Sequence, residues 1–417
     1  MTRTLEYDMI PSIKKQLLQT PAGTQQPEKQ KGQRRMKVSF DAQLLLEAQK
    51  TGIGWMADRL LREMRRIDPK MDLQLNYFQL RDYKNGTPEA MKEYLDLGFR
   101  EKRVFCSYSL YKMLWNWIPY PYSSFFGKDS DISFFFNYYI PPGVKGKPVT
   151  VFHDMGYKAF PETVRKRTMM MLNANMEKAC RRAEKIITVS QFTKDETNKY
   201  LGVDPDRMVV MHLGVNHEVF RPGCPKERID AVRAKYHLPE EYLLYLGTLE
   251  PRKNIVRMIN AYAKAQAEEP SVPVLVLAGR KGWMYDEIFA RVKELKLEEK
   301  IIFTGYIDAD EPPVLLNGAL AFLFPSLYEG FGIPPLEAMA CGTPVLTANA
   351  ASLPEVVGTA GILADPYSED EIADGILKLC RDRALREKLS KDGIERAAGF
   401  TWEKGAEILL DVFASIS

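Results

Sequence analysis

The sequence has little cysteine and nothing to pair it with. Its five cysteines, Cys106, Cys180, Cys224, Cys341 and Cys380, are odd in number, far apart and without a CxxC spacing. That pattern argues against a disulfide framework and a cysteine zinc site, and it fits a reducing cytosol. Long apolar runs are missing too, since none reaches the roughly 18 residues of a membrane-spanning helix. Residues 1–35 lack the apolar stretch of a secretory signal; rich in Gln, Lys, Pro and Thr, they read as a disordered tail. Net charge is scarce as well, at +3 over 417 residues, and no nucleic-acid partner is expected.

What charge there is lies unevenly. Residues 1–217 hold 35 Lys and Arg against 24 Asp and Glu, a net of +11, and the remainder is net −8. The front half is therefore the one expected to meet something anionic. A chain of 417 residues is too long for one core and suits two domains. The boundaries read as 36–216 and 217–398, with a helix in 399–417 returning toward the first domain. The stretch Arg221-Pro-Gly-Cys-Pro, within 217–239, reads as the hinge.

The back half has a strong β/α rhythm. Short apolar runs at Tyr242–Leu246, Pro273–Ala278, Ile301–Phe303, Leu320–Phe324 and Pro344–Leu346 read as buried strands. Helical spacing follows at Ile255–Ala267 and Asp286–Leu295. Alternating buried strands and helices imply a parallel, doubly wound sheet. The front half repeats this less cleanly, with strands at Lys37–Phe40, Val149–Phe152, Ile186–Val189 and Met208–His212. Helices are expected at Trp55–Arg66 and Glu162–Arg182. The aromatic stretch Phe105–Tyr139 resists assignment. Two such domains face each other across a cleft lined by strand C-termini, where sheets of this kind bind ligands.

The strongest motif is Pro325-Ser-Leu-Tyr-Glu-Gly-Phe-Gly-Ile-Pro-Pro-Leu-Glu337, between an apolar strand and a helix. Prolines 334 and 335 are tolerated at a helix start, and Gly342 reads as the cap at its far end. Glu329 then lies on the loop and Glu337 in the first turns. The glycines let backbone N–H groups approach an anion, and the helix N-terminus adds positive potential. A diphosphate fits such a loop, with a carboxylate on either side for hydroxyl groups.

Glu329-x7-Glu337, set in EGFGIPPLEAMACGTPV, closely resembles the EX7E signature of the family 4 retaining glycosyltransferases, which have the GT-B fold. The resemblance runs from Met36 over most of the chain. It takes in KTGIGWM (Lys50–Met56), VFHDMGY (Val151–Tyr157), ITVSQFTKDE (Ile187–Glu196), GTLEPRKN (Gly247–Asn254) and FTGYI (Phe303–Ile307). It implies an α/β GT-B protein, two Rossmann-like domains facing across a cleft, that moves a sugar from a nucleotide-diphosphate donor with retention of configuration. Glu329 would bind the transferred sugar and Glu337 the ribose. The amides of Gly330, Phe331 and Gly332 would face sugar and phosphates. Arg252 and Lys253 would clamp the diphosphate as charge builds on the leaving oxygen, Lys253 matching the family more closely than Arg252. Gly52 and Gly54 resemble the glycine loop over the donor, and Ile307 joins the donor site. His153, at the end of an apolar strand, would contact the donor sugar at the reaction centre. Gly214-Val215-Asn216 departs from the family's G-V-D, which removes a carboxylate near the hinge. The stretch Gly279-Arg-Lys-Gly-Trp-Met-Tyr looks most like members that use GDP-mannose in polysaccharide assembly, with a UDP-hexose as the alternative.

Ser190 and Thr193 read instead as a helix cap and its first turn. Three Asp-x-Asp pairs, Asp129/Asp131, Asp204/Asp206 and Asp308/Asp310, read as turns and caps. No metal and no cofactor are therefore expected. A glycosidase would have no need of a phosphate-binding loop between its two carboxylates. The expected partners are the nucleotide-sugar donor and a glycan or lipid-linked acceptor. The expected location is cytoplasmic, with peripheral contact at an anionic inner membrane face through Arg62, Arg65 and Arg66, and through Arg165–Arg167 beside Met169–Met171.

Overall fold

The computed structural model describes residues 35–417 apart from 48, 49, 82, 116 and 117. The tail expected to be disordered lies, save for Arg35, outside the described residues. Residues 37–210 build a seven-stranded sheet: β1 (Lys37–Asp41), β2 (Asp72–Phe78), β3 (Arg100–Val104), β4 (Ile132–Phe135), β5 (Lys147–Phe152), β6 (Lys185–Thr188) and β7 (Met208–Val210). Its order is β3-β2-β1-β4-β5-β6-β7, and every pairing is parallel. Residues 242–364 build a six-stranded sheet: β8 (Tyr242–Leu246), β9 (Val274–Ala278), β10 (Ile301–Gly305), β11 (Ala321–Phe324), β12 (Val345–Ala348) and β13 (Ile362–Ala364). Its order is β10-β9-β8-β11-β12-β13, again all parallel.

Both sheets reverse their winding once, between β1 and β4 in the front and between β8 and β11 in the back. Strands beside a reversal send their following loops apart, which opens a crevice at their C-terminal ends. This single rule decides which distant residues meet. The strands are buried on both faces, so β8 reads Tyr-Leu-Leu-Tyr-Leu and β11 Ala-Phe-Leu-Phe with almost no polar break.

The helix Trp402–Ile416 packs on Gly52–Ile67 of the front part. Its Phe413 ring stacks edgewise on Phe134 at 5.7 Å and Phe40 at 6.5 Å. Beside this crossing, the Val215 amide donates to Phe400 O at 3.2 Å, so two chain crossings run side by side. Asn216, the residue that departs from the family pattern, accepts from the Glu218 amide at 3.2 Å in the turn that follows.

The basic surface expected around residues 62–66 is not free. Arg62 pairs with Asp58 and Glu93, Arg65 donates to the carbonyls of Pro69, Met71 and Gly98, and Arg66 pairs with Glu63 and Glu403. Of the trio at 169–171, Met169 and Met171 pack against buried aromatics and only Met170 is exposed. A further run of exposed apolar side chains in the front part comprises Phe105, Leu110, Met113, Ile118 and Tyr120, beside isolated ones at Trp55, Leu80 and Leu97. Among the described residues no helix is long and apolar enough to cross a membrane.

Candidate active site

The back half of the site is assembled at its winding reversal. The chain leaving β8 makes the short turn Pro251–Lys253, and the chain leaving β11 makes the loop 325–332. Because β8 and β11 are neighbours, residues 76 positions apart meet: Lys253 Nζ lies 2.6 Å from Glu329 Oε1. Arg252 Nη1 donates to Tyr328 O at 2.6 Å and stands 3.4 Å from Glu329 Oε2, while Nη2 is 3.1 Å from Glu250 Oε1. Asn254, at φ +60°, turns the chain into the helix Ile255–Glu268. Its side-chain amide donates to Pro325 O at 3.0 Å and Pro366 O at 2.7 Å, tying both loops together. Burial alone would raise the Glu329 carboxyl, but Lys253 and Arg252 overcome it and hold the group below the ordinary carboxylate range.

Glu337 is shifted in the other direction. It lies half-buried on the helix Ile333–Ala340, and its carboxylate has no hydrogen-bond or ion-pair partner among the described residues. Burial pushes its pKa up to about 8. Two carboxylates eight residues apart thus have opposite environments, one neutralised by cations and one left with acceptor capacity to spare.

Gly332 opens that helix at φ +119°, a conformation in which a side chain is strained. The amides of Gly330, Phe331 and Gly332, all buried residues, have no acceptor among the described residues. Buried amides are nearly always paired, and three in a row at a helix N-terminus have the donor chemistry that receives an anion.

The front half contributes His153, just past β5. Its Nε2 lies 2.8 Å from Phe136 O, past the end of the neighbouring β4. A carbonyl only accepts, so Nε2 carries the proton and Nδ1 is left as an acceptor. Burial holds its pKa below the usual histidine value, so the ring is neutral at pH 7. His153 lines a cavity of about 620 Å³ with Ile53, Tyr138, Asp154, Arg252 and Trp283, drawn from both halves. The two halves touch closely here, since a Cβ built on Gly330 would stand 1.7 Å from His153 O. The Met155 amide donates to the Tyr328 hydroxyl at 3.1 Å, and Trp283 Nε1 donates to Thr163 O at 2.7 Å.

Not every expected residue joins this group. Gly52 and Gly54 form the first turn of the helix Gly52–Ile67, where Thr51 Oγ1 accepts from the Gly54 amide. Neither has positive φ, and a Cβ on Gly52 would meet nothing within 4 Å, so the turn itself does not demand glycine there. Ile53 between them does reach the cavity. Ile307 lies beyond β10, three strands from β11. Three strand spacings are roughly 14 Å, the length scale of an extended nucleoside diphosphate rather than of a single contact.

The Asp-x-Asp pairs are occupied in local structure. Asp129 pairs with Lys37, Asp131 accepts from the Lys37 amide, Asp204 accepts from the Asp206 amide, Asp308 pairs with Lys235, and Asp310 pairs with Arg228. Among the described residues no three His, Cys, Asp or Glu side chains are gathered as metal ligands.

Three hydroxyl residues at the site were not legible as such. Ser190 does cap the helix Gln191–Leu201, accepting from the Thr193 amide at 3.0 Å. Both Ser190 and Thr193 also donate across the cleft to Gly330 O, and Ser352 holds the same loop from behind. Glu355 is a third cross-cleft group, after Ser190 and Thr193. Its carboxylate accepts from the Gln191 and Phe192 amides and lies 2.7 Å from His212 Nε2. The Ser-x-x-Thr spacing signals the cap; nothing local signals partners about 140 or 160 residues away.

Two parallel-sheet, Rossmann-like domains meeting over a cation-bound carboxylate and an open helix N-terminus have the GT-B architecture of glycosyltransferases. Residues 228–396 match the family described as Glycosyl transferases group 1, and residues 97–219 match Glycosyltransferase Family 4. The O-antigen chain mannosyltransferase B of Escherichia coli is 37% identical over 268 residues, covering 64% of this chain and 70% of that protein. The serotype-specific mannosyltransferase WbdA of Escherichia coli is 34% identical over 242 residues, and the match spans 29% of that longer protein. The chain belongs to the group 1 glycosyltransferases. Among solved structures, WaaG, a glycosyltransferase involved in lipopolysaccharide biosynthesis, shares the fold with a TM-score of 0.66 at 16% identity, covering 90% of this chain and 99% of that one. The sucrose-phosphate synthase of Thermosynechococcus elongatus shares it with a TM-score of 0.68 at 20% identity, covering 91% and 99%.

Proposed function

We propose that this protein is a retaining hexosyltransferase that moves mannose from GDP-mannose to a glycan or lipid-linked acceptor. The observation that carries the reading is the group at the back-sheet reversal: Glu329 held ionised by Lys253, beside three amides at a helix N-terminus that have no acceptor among the described residues. An ionised carboxylate accepts hydroxyls of the transferred sugar, and the amides and Lys253 meet the diphosphate. Glu337, with free acceptor capacity, takes the ribose. Ile307, three strands away, borders the far end of the nucleotide. Residues 36–216 form the acceptor side and 217–398 the donor side.

In this mechanism the acceptor hydroxyl attacks from the face the leaving group departs, and its proton passes to the departing phosphate. Lys253 and the amides stabilise the growing negative charge there. His153 presents Nδ1 at the reaction centre as a neutral acceptor. Closure of the two domains around Gly330 excludes water and limits hydrolysis. Neither a metal nor a cofactor takes part in this scheme. The choice of mannose rests on the two mannosyltransferase relatives and on the Gly279–Tyr285 stretch; a UDP-hexose is the alternative donor. The purified protein is to be screened against GDP-mannose and UDP-hexoses for turnover and thermal shift, with the product anomer read by NMR. Selective turnover of GDP-mannose with retention is expected. Turnover of a UDP-hexose alone would reassign the donor, and an inverted product would overturn the mechanism.

A further inference from the structure

The three peptide groups that follow Glu329 are held from behind by hydroxyls. Ser352 Oγ stands 2.9 Å from Glu329 O and 2.6 Å from Phe331 O, sharing its one proton between them. Ser190 Oγ and Thr193 Oγ1 donate to the carbonyl between those two, Gly330 O, at 2.6 and 3.0 Å. All three hydroxyl side chains are fully buried. In a planar trans peptide the C=O and N–H point in opposite directions. Pinning the carbonyls of residues 329, 330 and 331 therefore fixes the N–H vectors of Gly330, Phe331 and Gly332. These are the same three amides that lack an acceptor among the described residues.

The donors come from two sources. Ser352 precedes the short helix Leu353–Val357 of the back domain, the domain that carries the amides. Ser190 and Thr193 open a helix of the front domain. Ser190 Oγ accepts from the Thr193 amide to cap that helix and also lies 3.1 Å from Thr193 Oγ1, and its one proton makes its shortest contact, 2.6 Å, to Gly330 O. Thr193 sends its proton the same way, across the cleft.

We propose that Ser352, Ser190 and Thr193 are positioning residues that aim the Gly330, Phe331 and Gly332 amides at the phosphates and sugar of the donor. Ser352 sets two of the three whether or not the domains are together. Ser190 and Thr193 set the Phe331 amide only when the front domain is in place, so the anion site is finished by closure. The inference rests on the nucleotide-sugar reading above.

The test compares binding of GDP and UDP by calorimetry, turnover of the productive donor, and thermal unfolding. Ser352→Ala is expected to weaken nucleoside-diphosphate affinity about tenfold, as the loss of aligned charge-facing amides implies. The pair Ser190→Gly with Thr193→Val removes both donors to Gly330 O; it also removes the Ser190 cap bond, but glycine is tolerated at a helix N-cap. It is expected to lower kcat about tenfold to a hundredfold, the scale of one misaimed oxyanion donor, while diphosphate affinity stays near wild type. Thr193→Ser, which keeps the donating hydroxyl, is expected to restore most of the turnover in the otherwise wild-type chain relative to Thr193→Val. Should one variant melt early, the other decides. Variants that melt normally and keep wild-type affinity and kcat would overturn the proposal. A wild-type protein that binds neither GDP nor UDP would overturn the nucleotide reading itself, and this inference with it.

Discussion

Gly330→Ala isolates the closeness of the two domains from everything else at the site. Gly330 does not have positive φ, so alanine meets no torsional penalty there. The whole effect comes from the added Cβ, which would stand 1.7 Å from His153 O and 2.8 Å from His153 C. Both are backbone atoms and neither can rotate aside. Restoring even a tight contact of about 3.0 Å needs a separation of roughly 1.3 Å, enough to stretch the 2.6 Å Ser190–Gly330 bond beyond hydrogen-bonding range. A misplacement near 1 Å costs about a hundredfold in rate when reacting groups must be aligned. In a domain-separated state the new methyl clashes with nothing from the front domain. The expected outcome is therefore a kcat about a hundredfold down, near-normal nucleoside-diphosphate affinity and an almost unchanged melting temperature. Turnover is read with the donor found in the screen, affinity by calorimetry. A Gly330→Ala protein that turns over within a few-fold of wild type would refute the argument that catalysis needs this seam closed.

Glu329→Gln should lower turnover strongly while leaving nucleoside-diphosphate affinity nearly unchanged; normal turnover would remove Glu329 from the mechanism. Glu337→Gln should weaken GDP or UDP binding by about 1–3 kcal/mol and abolish a rise in wild-type affinity as pH climbs through about 8, where the carboxylate becomes the acceptor. The same change tests stability. A folded pKa raised from 4.5 to about 8 means the wild type loses stability between those values as pH rises, so the glutamine variant should be the more stable by up to about 5 kcal/mol at pH 9 and gain nothing at pH 4. Activity should survive excess chelator; abolition with rescue by manganese would reopen the Asp-x-Asp pairs. Binding to anionic vesicles at low salt should fall when Leu110 and Met113, both exposed, become serine, and should persist when Arg66, already paired with Glu63 and Glu403, becomes alanine.

Most of the strands legible in the sequence were those that read as short apolar runs. Tyr242–Leu246 reads as five apolar residues and is β8 to the residue. The run at 149–152 is the inner part of β5. Two strands that escaped notice are polar for a reason: β2 (Asp-Leu-Gln-Leu-Asn-Tyr-Phe) alternates, and β3 (Arg-Glu-Lys-Arg-Val) is an edge strand whose charges discourage pairing with another chain; β13 (Ile-Leu-Ala) is apolar but only three residues long. The aromatic stretch resists periodicity because it holds three short pieces, the helices Tyr108–Leu114 and Ser123–Phe126 and then β4. In the helix expected at 162–182, regular turns begin at Lys166, after a separate turn at Pro161–Thr163. At the site, residues announced by a local motif, such as Glu329 and Lys253, were nameable in advance. Ser352 and Glu355 were not, because their role is set by carbonyls and amides far along the chain. Side chains that serve the backbone of another segment leave no pattern of their own.

The helix Trp402–Ile416 carries a cost for the cell that makes this protein. Its Phe413 fills the space beside Phe40 and Phe134, yet it is translated about two hundred residues after the front sheet is complete. At roughly 5–20 residues per second the ribosome needs on the order of 10–40 s to supply it. Throughout that interval the front sheet lacks the side chain that covers Phe40 and Phe134, leaving the kind of transiently exposed apolar surface that makes folding chains prone to aggregate. The wait ends only when synthesis reaches Phe413, so the half made first is the half that matures last.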